Sequence, residues 1–162
     1  MANFTLMRGI SGSGKSTYAR ELQQGTGAVV VSRDDLRLAL YGVAFGPPIN
    51  EDYITVVEFE AIQNALVRDI DVISDNTHLK HHAAYERLKF AYKLDAHLYL
   101  KEMEVSFAEA LERNRKRGAE GGRFVPEHAI SAQARAFTEH HLAIRDTYNR
   151  LTAGDTRHRE KT

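Results

Sequence analysis

Short apolar runs alternate along the chain with longer segments whose apolar positions recur every three or four residues. The runs at 3–8, 28–32 (Ala-Val-Val-Val-Ser), 70–74 (Ile-Asp-Val-Ile-Ser) and 96–101, where Ala96, Leu98 and Leu100 share one face, have the length and composition of strands. Between them, Tyr18, Ala19 and Leu22 fall at helical spacing over 15–24, which Gly25-Thr-Gly27 ends. A longer helix is predicted over 51–69, opened by Asn50 with Glu51 and Asp52 in its first turn, its buried face marked by Phe59, Ile62 and Leu66. It follows the breaker Gly46-Pro-Pro48. Ser106 and Glu109 form a capping box for a helix reaching about Lys116, and Pro126-Glu127 opens another. Strands alternating with helices predict an α/β fold on a parallel sheet of four to five strands, with helices on both faces.

Length and composition narrow the reading. The 162 residues, 43% hydrophobic, suffice for one core and read as a single domain over 1–162 with a polar tail at 156–162; a second catalytic domain has no room. Cysteine is absent, which excludes a disulfide framework, a thiolate nucleophile and a cysteine-based metal site, and suits the cytoplasm, the expected location. No run approaches the roughly eighteen apolar residues of a membrane span, and the first strand is too short for a signal peptide, so no membrane partner is expected. Lys plus Arg equal Asp plus Glu at 22 each, so any site for a polyanion is local.

The first chemistry lies directly after the first strand. Gly9-Ile-Ser-Gly-Ser-Gly-Lys15-Ser16-Thr17 fits G-x-x-x-x-G-K-[ST], between a predicted strand and a predicted helix. Small residues let the backbone amides of Ser11, Gly12, Ser13, Gly14, Lys15, Ser16 and Thr17 curl round a phosphate at the positive end of a helix dipole. Lys15 reaches the β and γ oxygens of a nucleoside triphosphate such as ATP, and the Ser16 hydroxyl takes a place on Mg²⁺.

Ligands of open α/β sheets bind beyond the carboxyl ends of the strands, which singles out three further stretches. In Ser32-Arg33-Asp34-Asp35-Leu36-Arg37, a helix starting near Asp34 puts Asp34 and Arg37 on one face, a carboxylate to accept a hydroxyl proton and an arginine to bind phosphate. Acidic residues at a helix start are also ordinary dipole-favoured caps. Asp75-Asn76-Thr77 offers a carboxylate that acts on the hydration shell of Mg²⁺ or holds Arg37, and an Asx turn accounts for it equally well. The run from Arg113 through Arg117 to Arg123 has five basic residues and passes from a helix end into glycines, as suits a mobile basic lid over 113–125 that places an arginine against developing charge. His78, His81 and His82 carry no metal-ligand spacing and read as surface helix residues. Asp69-Ile-Asp71 has only a superficial likeness to a phosphatase motif, because its first Asp ends a helix rather than a strand.

In order, Gly-Ser-Gly-Lys-Ser-Thr, Ser-Arg-Asp34-Asp-Leu-Arg37, Ile-Ser-Asp75 and Arg113-Asn-Arg-Lys-Arg117-Gly resemble the kinase domain of phage-type polynucleotide 5′-hydroxyl kinase, over about residues 3–130. The resemblance implies a P-loop kinase fold and ATP-dependent, Mg²⁺-assisted phosphorylation of 5′-hydroxyl DNA or RNA ends, in the service of nucleic-acid repair. It implies that Lys15 and Ser16 bind the donor phosphates and Mg²⁺, that Asp34 is general base, and that Arg37 grips a phosphate of the acceptor. Asp75 then supports Arg37, while Arg117 with Arg113 clamps the donor from the lid. The chain departs from the family in lacking room for a 3′-phosphatase domain, in the placement of Asn76 and Thr77, and in a longer lid segment at 119–124. A small-molecule kinase acting on a sugar acid or nucleoside shares the loop, base and lid; a nucleotide-dependent switch module shares the loop.

Overall fold

The computed structural model describes residues 1–154; the polar tail expected at 156–162 lies outside them. Four strands, β1 (Asn3–Arg8), β2 (Val29–Val31), β3 (Val72–Asp75) and β4 (His97–Glu102), form one parallel sheet in the order β2-β3-β1-β4. β1 lies at its centre, with Phe4 beside Val72 and Leu98, and Leu6 beside Ser74 and Leu100. Parallel pairing requires long crossovers, and helices supply them: α1 (Lys15–Thr26), α2 (Arg33–Tyr41), α3 (Glu51–Leu66), α4 (His81–Lys93), α5 (Phe107–Ala119) and α6 (Glu127–Ala153).

Alternation along the strands divides the core between the two faces of the sheet. Phe4, Leu6, Val72 and Leu98 pack with Ile62 and Leu66 of α3, Ala84 and Leu88 of α4, and Ile144 of α6. Met7 and Ile73 pack with Ala19, Tyr18 and Leu22 of α1. A smaller cluster of Ile10, Ala110, Val125 and Ile130 joins the start of the phosphate loop to α5 and α6. At the carboxyl end of β1 the side chain of Arg8 is fully buried, donating to Glu102 at 2.8 Å and stacking 4.1 Å from the centre of the Phe137 ring. Burying that charge is tolerable because every direction it faces carries an acceptor or a π face.

Several boundaries differ from those expected. The long helix stops at Leu66 rather than 69, because residues 68 and 69 tighten into bonds to the third preceding carbonyl and Asp69 turns into the left-handed region at φ 60°. β3 then begins at Val72 rather than 70, since the Asp71 carboxylate is spent on the backbone and side-chain amides of Asn3. α5 continues to Ala119, past the expected end near Lys116, so Arg113, Arg115, Lys116 and Arg117 of the basic run are helical and Arg123 follows in the loop. Among the described residues, no helix is long and apolar enough to cross a membrane.

Candidate active site

The loop after β1 is shaped by close approach. Gly12 has φ +82°, and a Cβ there would lie 2.5 Å from the Ala110 carbonyl oxygen, so the turn passes α5 only as glycine. α1 begins behind Gly14 with no side chain capping its first amides, which leaves them at the floor of the cleft as an anion site. Lys15 is buried, its Nζ donating to the Ile10 carbonyl at 2.8 Å and to Ser13 Oγ at 3.4 Å. Burial lowers its pKa to about 8; Asp75 opposes that shift and the charges of Arg117 and Arg123 add to it. Asp75 at the end of β3 stands beside this amine and the Ser16 side chain, and burial raises its pKa against their opposing influence.

Across the cleft, Ser32 caps α2 through the Asp35 amide, and Asn76 Oδ1 accepts from the Arg33 amide at 2.8 Å. Asp34 and Arg37 share the first turns of α2 and pair at 2.8 Å. The second Asp34 oxygen accepts from Arg123. Arg37 is held in turn by both oxygens of Glu51, at 2.8 and 2.9 Å. That contact keeps the Glu51 pKa near 2, with Arg33 contributing. Arg33 bridges Glu51 to Glu58 of α3 at 2.6 and 2.9 Å. Glu58 is completely buried and takes Arg87 of α4 on both oxygens, at 2.8 and 2.6 Å. Burial acts to raise its pKa, but bonding to Arg87 and then Arg33 outweighs it and holds the group ionised. An unbroken series of ion pairs, Arg87–Glu58–Arg33–Glu51–Arg37–Asp34, thus fixes the carboxylate on α2 to the body of the domain.

The segment expected as a lid is fixed at its base. Asn114, buried in α5, donates to the Val125 carbonyl at 2.8 Å and accepts from its amide at 3.0 Å. Arg117 Nε donates to the Arg123 carbonyl at 2.6 Å, and Arg113 reaches Glu109.

One cleft of about 740 Å³ gathers most of the residues singled out from the sequence: Ser11, Gly12, Gly14, Lys15, Ser16, Thr17, Asp34, Arg37, Asp75, Arg113 and Arg117 all line it. Ser13 does not; it is buried and serves Lys15. Asp75 meets Ser16, whereas Arg37 meets Asp34 and Glu51, so the expected Asp75–Arg37 contact is replaced by one across the loop. His78 also departs from expectation. It is buried rather than on a helix surface, with Nδ1 donating to the Met7 carbonyl at 2.6 Å and Nε2 3.3 Å from Ser74 Oγ, and burial lowers its pKa to about 4. α4 starts only at His81, so 76–80 is a loop crossing the sheet's end, and the imidazole pins it there. Asp35, Arg20, Arg123 and Gln133, not assigned from the sequence, line the same cleft, and Gln133 accepts from the Ser11 amide at 2.8 Å. The described residues contain no cluster of three or more His, Cys, Asp or Glu suited to a metal.

The AAA domain family matches residues 4–140. The "Putative bifunctional polynucleotide kinase/RNA ligase" of Autographa californica nuclear polyhedrosis virus is 33% identical over 122 residues, which are 67% of this chain and 17% of that protein. Among solved structures, a chain of the Pnkp1/Rnl/Hen1 RNA repair complex has a TM-score of 0.79 at 27% identity, over 85% of this chain and 44% of that one. A gluconokinase from Sinorhizobium meliloti 1021 has a TM-score of 0.54 at 21% identity, over 83% of this chain and 74% of that one, a likeness of fold alone. The chain spans under a fifth of the viral relative and under half of the repair-complex chain.

Proposed function

This chain belongs to the AAA domain family and has a P-loop kinase fold, and from that premise we propose that it is a polynucleotide 5′-hydroxyl kinase. The observation that carries the reading is the Asp34–Arg37 pair, held on α2 by its series of ion pairs and facing Lys15 and Ser16 across one cleft. The names of the viral relative and of the repair complex favour a nucleic-acid end as acceptor over a small alcohol.

In this reading the loop amides and Lys15 hold the phosphates of ATP, and Arg113 and Arg117 clamp them from α5. Mg²⁺ would be held by Ser16, with Asp75 on its hydration shell; Mg²⁺ keeps most of its waters and needs few protein ligands, which suits one hydroxyl beside one carboxylate. The bound ion would neutralise charge on the phosphates. Arg37 binds the phosphate that follows the acceptor's first nucleoside and brings the 5′-hydroxyl to Asp34. The hydroxyl oxygen bonds to the γ-phosphorus, the bond to the β,γ-bridging oxygen breaks, ADP leaves, and the hydroxyl proton passes to Asp34. We place this chemistry in the cytoplasm, in repair of broken strands.

The test is transfer of labelled γ-phosphate to a 5′-hydroxyl oligonucleotide, beside the same strand already phosphorylated and beside Asp34→Asn. Label is expected only on the 5′-hydroxyl strand. In the variant, transfer is expected to fall by about 10² to 10⁴ with ATP binding retained. Label on a neutral sugar alcohol but not on the oligonucleotide would replace this acceptor with a small molecule.

A further inference from the structure

Arg123 is a cation of the cleft that the scheme above leaves without a part. It lies 89 residues from Asp34 in sequence, yet its guanidinium crosses from the loop after α5 to the Asp34 carboxylate on α2. The loop is built to deliver it. The Gly122 amide donates to the Arg117 carbonyl at 2.8 Å, and the Arg123 carbonyl accepts from Arg117 Nε. A Cβ on Gly122 would stand 2.7 Å from Arg117 Cγ and 3.0 Å from its carbonyl oxygen, so the chain folds back this tightly on the end of α5 only with glycine.

Each oxygen of Asp34 thereby accepts from one arginine, Arg37 on one and Arg123 on the other, so the carboxylate that a hydroxyl must approach is held in two ion pairs. Withdrawal of one arginine opens more of the carboxylate to that hydroxyl and leaves it paired to a single guanidinium. Arg37 is anchored by two further bonds to Glu51. Arg123 rides on a loop, its side chain is 37% exposed, and its guanidinium rests on Asp34 alone among the described residues. It also acts electrostatically on the Lys15 amine, so it stands between the group that holds donor phosphates and the group that faces the acceptor.

We infer that Arg123 is a catalytic residue that leaves Asp34 for the γ-phosphate of the bound donor, so that loading the donor uncovers the base. A γ-phosphate offers more charge and more acceptor oxygens than one carboxylate, and a guanidinium pairs with it bidentately. During transfer the same guanidinium neutralises charge on the phosphoryl group as it passes from the ADP oxygen to the acceptor oxygen. The inference rests on the kinase reading for the role of Asp34, but not on the nature of the acceptor.

The test is calorimetric titration of the wild type, Arg123→Ala, Arg123→Lys and Asp34→Asn with β,γ-imido-ATP and with ADP, both with Mg²⁺, followed by steady-state transfer to a 5′-hydroxyl oligonucleotide. Arg123→Ala is expected to weaken β,γ-imido-ATP about tenfold to a hundredfold while ADP stays within about twofold. Asp34→Asn, which frees the arginine from its resting contact, tightens β,γ-imido-ATP, and the double variant loses that gain. Turnover of Arg123→Ala falls about 10² to 10³ with the KM for the oligonucleotide unchanged, and Arg123→Lys lies between. Equal loss of both nucleotides, or loss of neither, overturns the inference and reduces the contact to a surface ion pair. The titrations need no acceptor. A γ-selective effect in a protein that labels no oligonucleotide overturns the polynucleotide assignment alone, whereas full turnover by Arg123→Ala overturns this inference alone. Should Arg123→Ala not fold, Arg123→Lys and Arg123→Gln yield the same comparison.

Discussion

In the proposed kinase Lys15 is the side chain on which nucleotide binding turns, and its setting gives that binding a pH dependence. In the free protein burial holds its pKa near 8, below the ordinary lysine value of 10.5, and its amine spends its bonds on the Ile10 carbonyl and Ser13. Bound phosphates favour the charged amine, so the bound pKa lies above the free one. Below about pH 8 the amine is charged in both states and affinity is flat. Above it, binding must take up a proton, and affinity for ATP with Mg²⁺ is expected to fall up to about tenfold per pH unit until the bound pKa is reached. Titration calorimetry in two buffers of different ionisation enthalpy checks this directly: proton uptake appears above pH 8 and vanishes in Lys15→Met, which also loses most of the affinity. A flat profile to pH 9.5 would mean that the amine stays charged in the empty loop.

At the scale of elements, the sequence carried what is local. Apolar runs placed all four strands, apolar spacing and caps placed α1, α3, α5 and the start of α6 while α4 went unassigned, and the glycine spacing of the phosphate loop placed the cleft. Distant partners were not legible. Glu58 drew no reading, yet it lies in the stripe Ile54, Glu58, Ile62, Ala65 that α3 turns inward, and its partner Arg87 stands 29 residues away on α4. An acid inside an apolar stripe was the available signal, and it implied a buried cation without saying which. His78 was misread because the polar run 75–82 does not show where the loop ends and α4 begins. Gly12 marks where local and tertiary demands coincide: its positive φ is a loop property, while the Ala110 carbonyl that would meet a side chain belongs to α5. Gly12→Ala is therefore expected to push the loop from α5 and abolish measurable ATP binding. The fold should survive, with an unfolding free energy lowered by about 1 to 3 kcal/mol. Denaturant melts beside nucleotide titrations separate those two effects; binding within a few-fold of wild type would show that the loop shifts at little cost.

Over the whole molecule, charge is distributed so that one mouth attracts what the rest of the surface does not. The cleft is lined by Lys15, Arg20, Arg33, Arg37, Arg113, Arg117 and Arg123 against Asp34, Asp35 and Asp75, seven cations to three carboxylates, in a chain whose charges balance at 22 of each sign. The remainder is accordingly net acidic by four. In the proposed reading a strand end is drawn to the cleft, while the body of the strand meets a remainder whose charge is net acidic. Affinity for 5′-hydroxyl oligonucleotides should therefore rise over the first few nucleotides and then level off, rather than climb with every added phosphate. Salt should act in proportion to the few phosphates engaged. At a slope of about −0.7 per phosphate for single strands, one to three contacts predict a loss of about threefold to eighteenfold between 50 and 200 mM salt. Steady-state KM values for strands of two to twelve nucleotides at those two salt concentrations measure both. Affinity still growing at twelve nucleotides, or a steeper salt slope, would mean that the acceptor runs along a surface beyond the cleft; a plateau at two or three places recognition at Arg37 and the mouth itself.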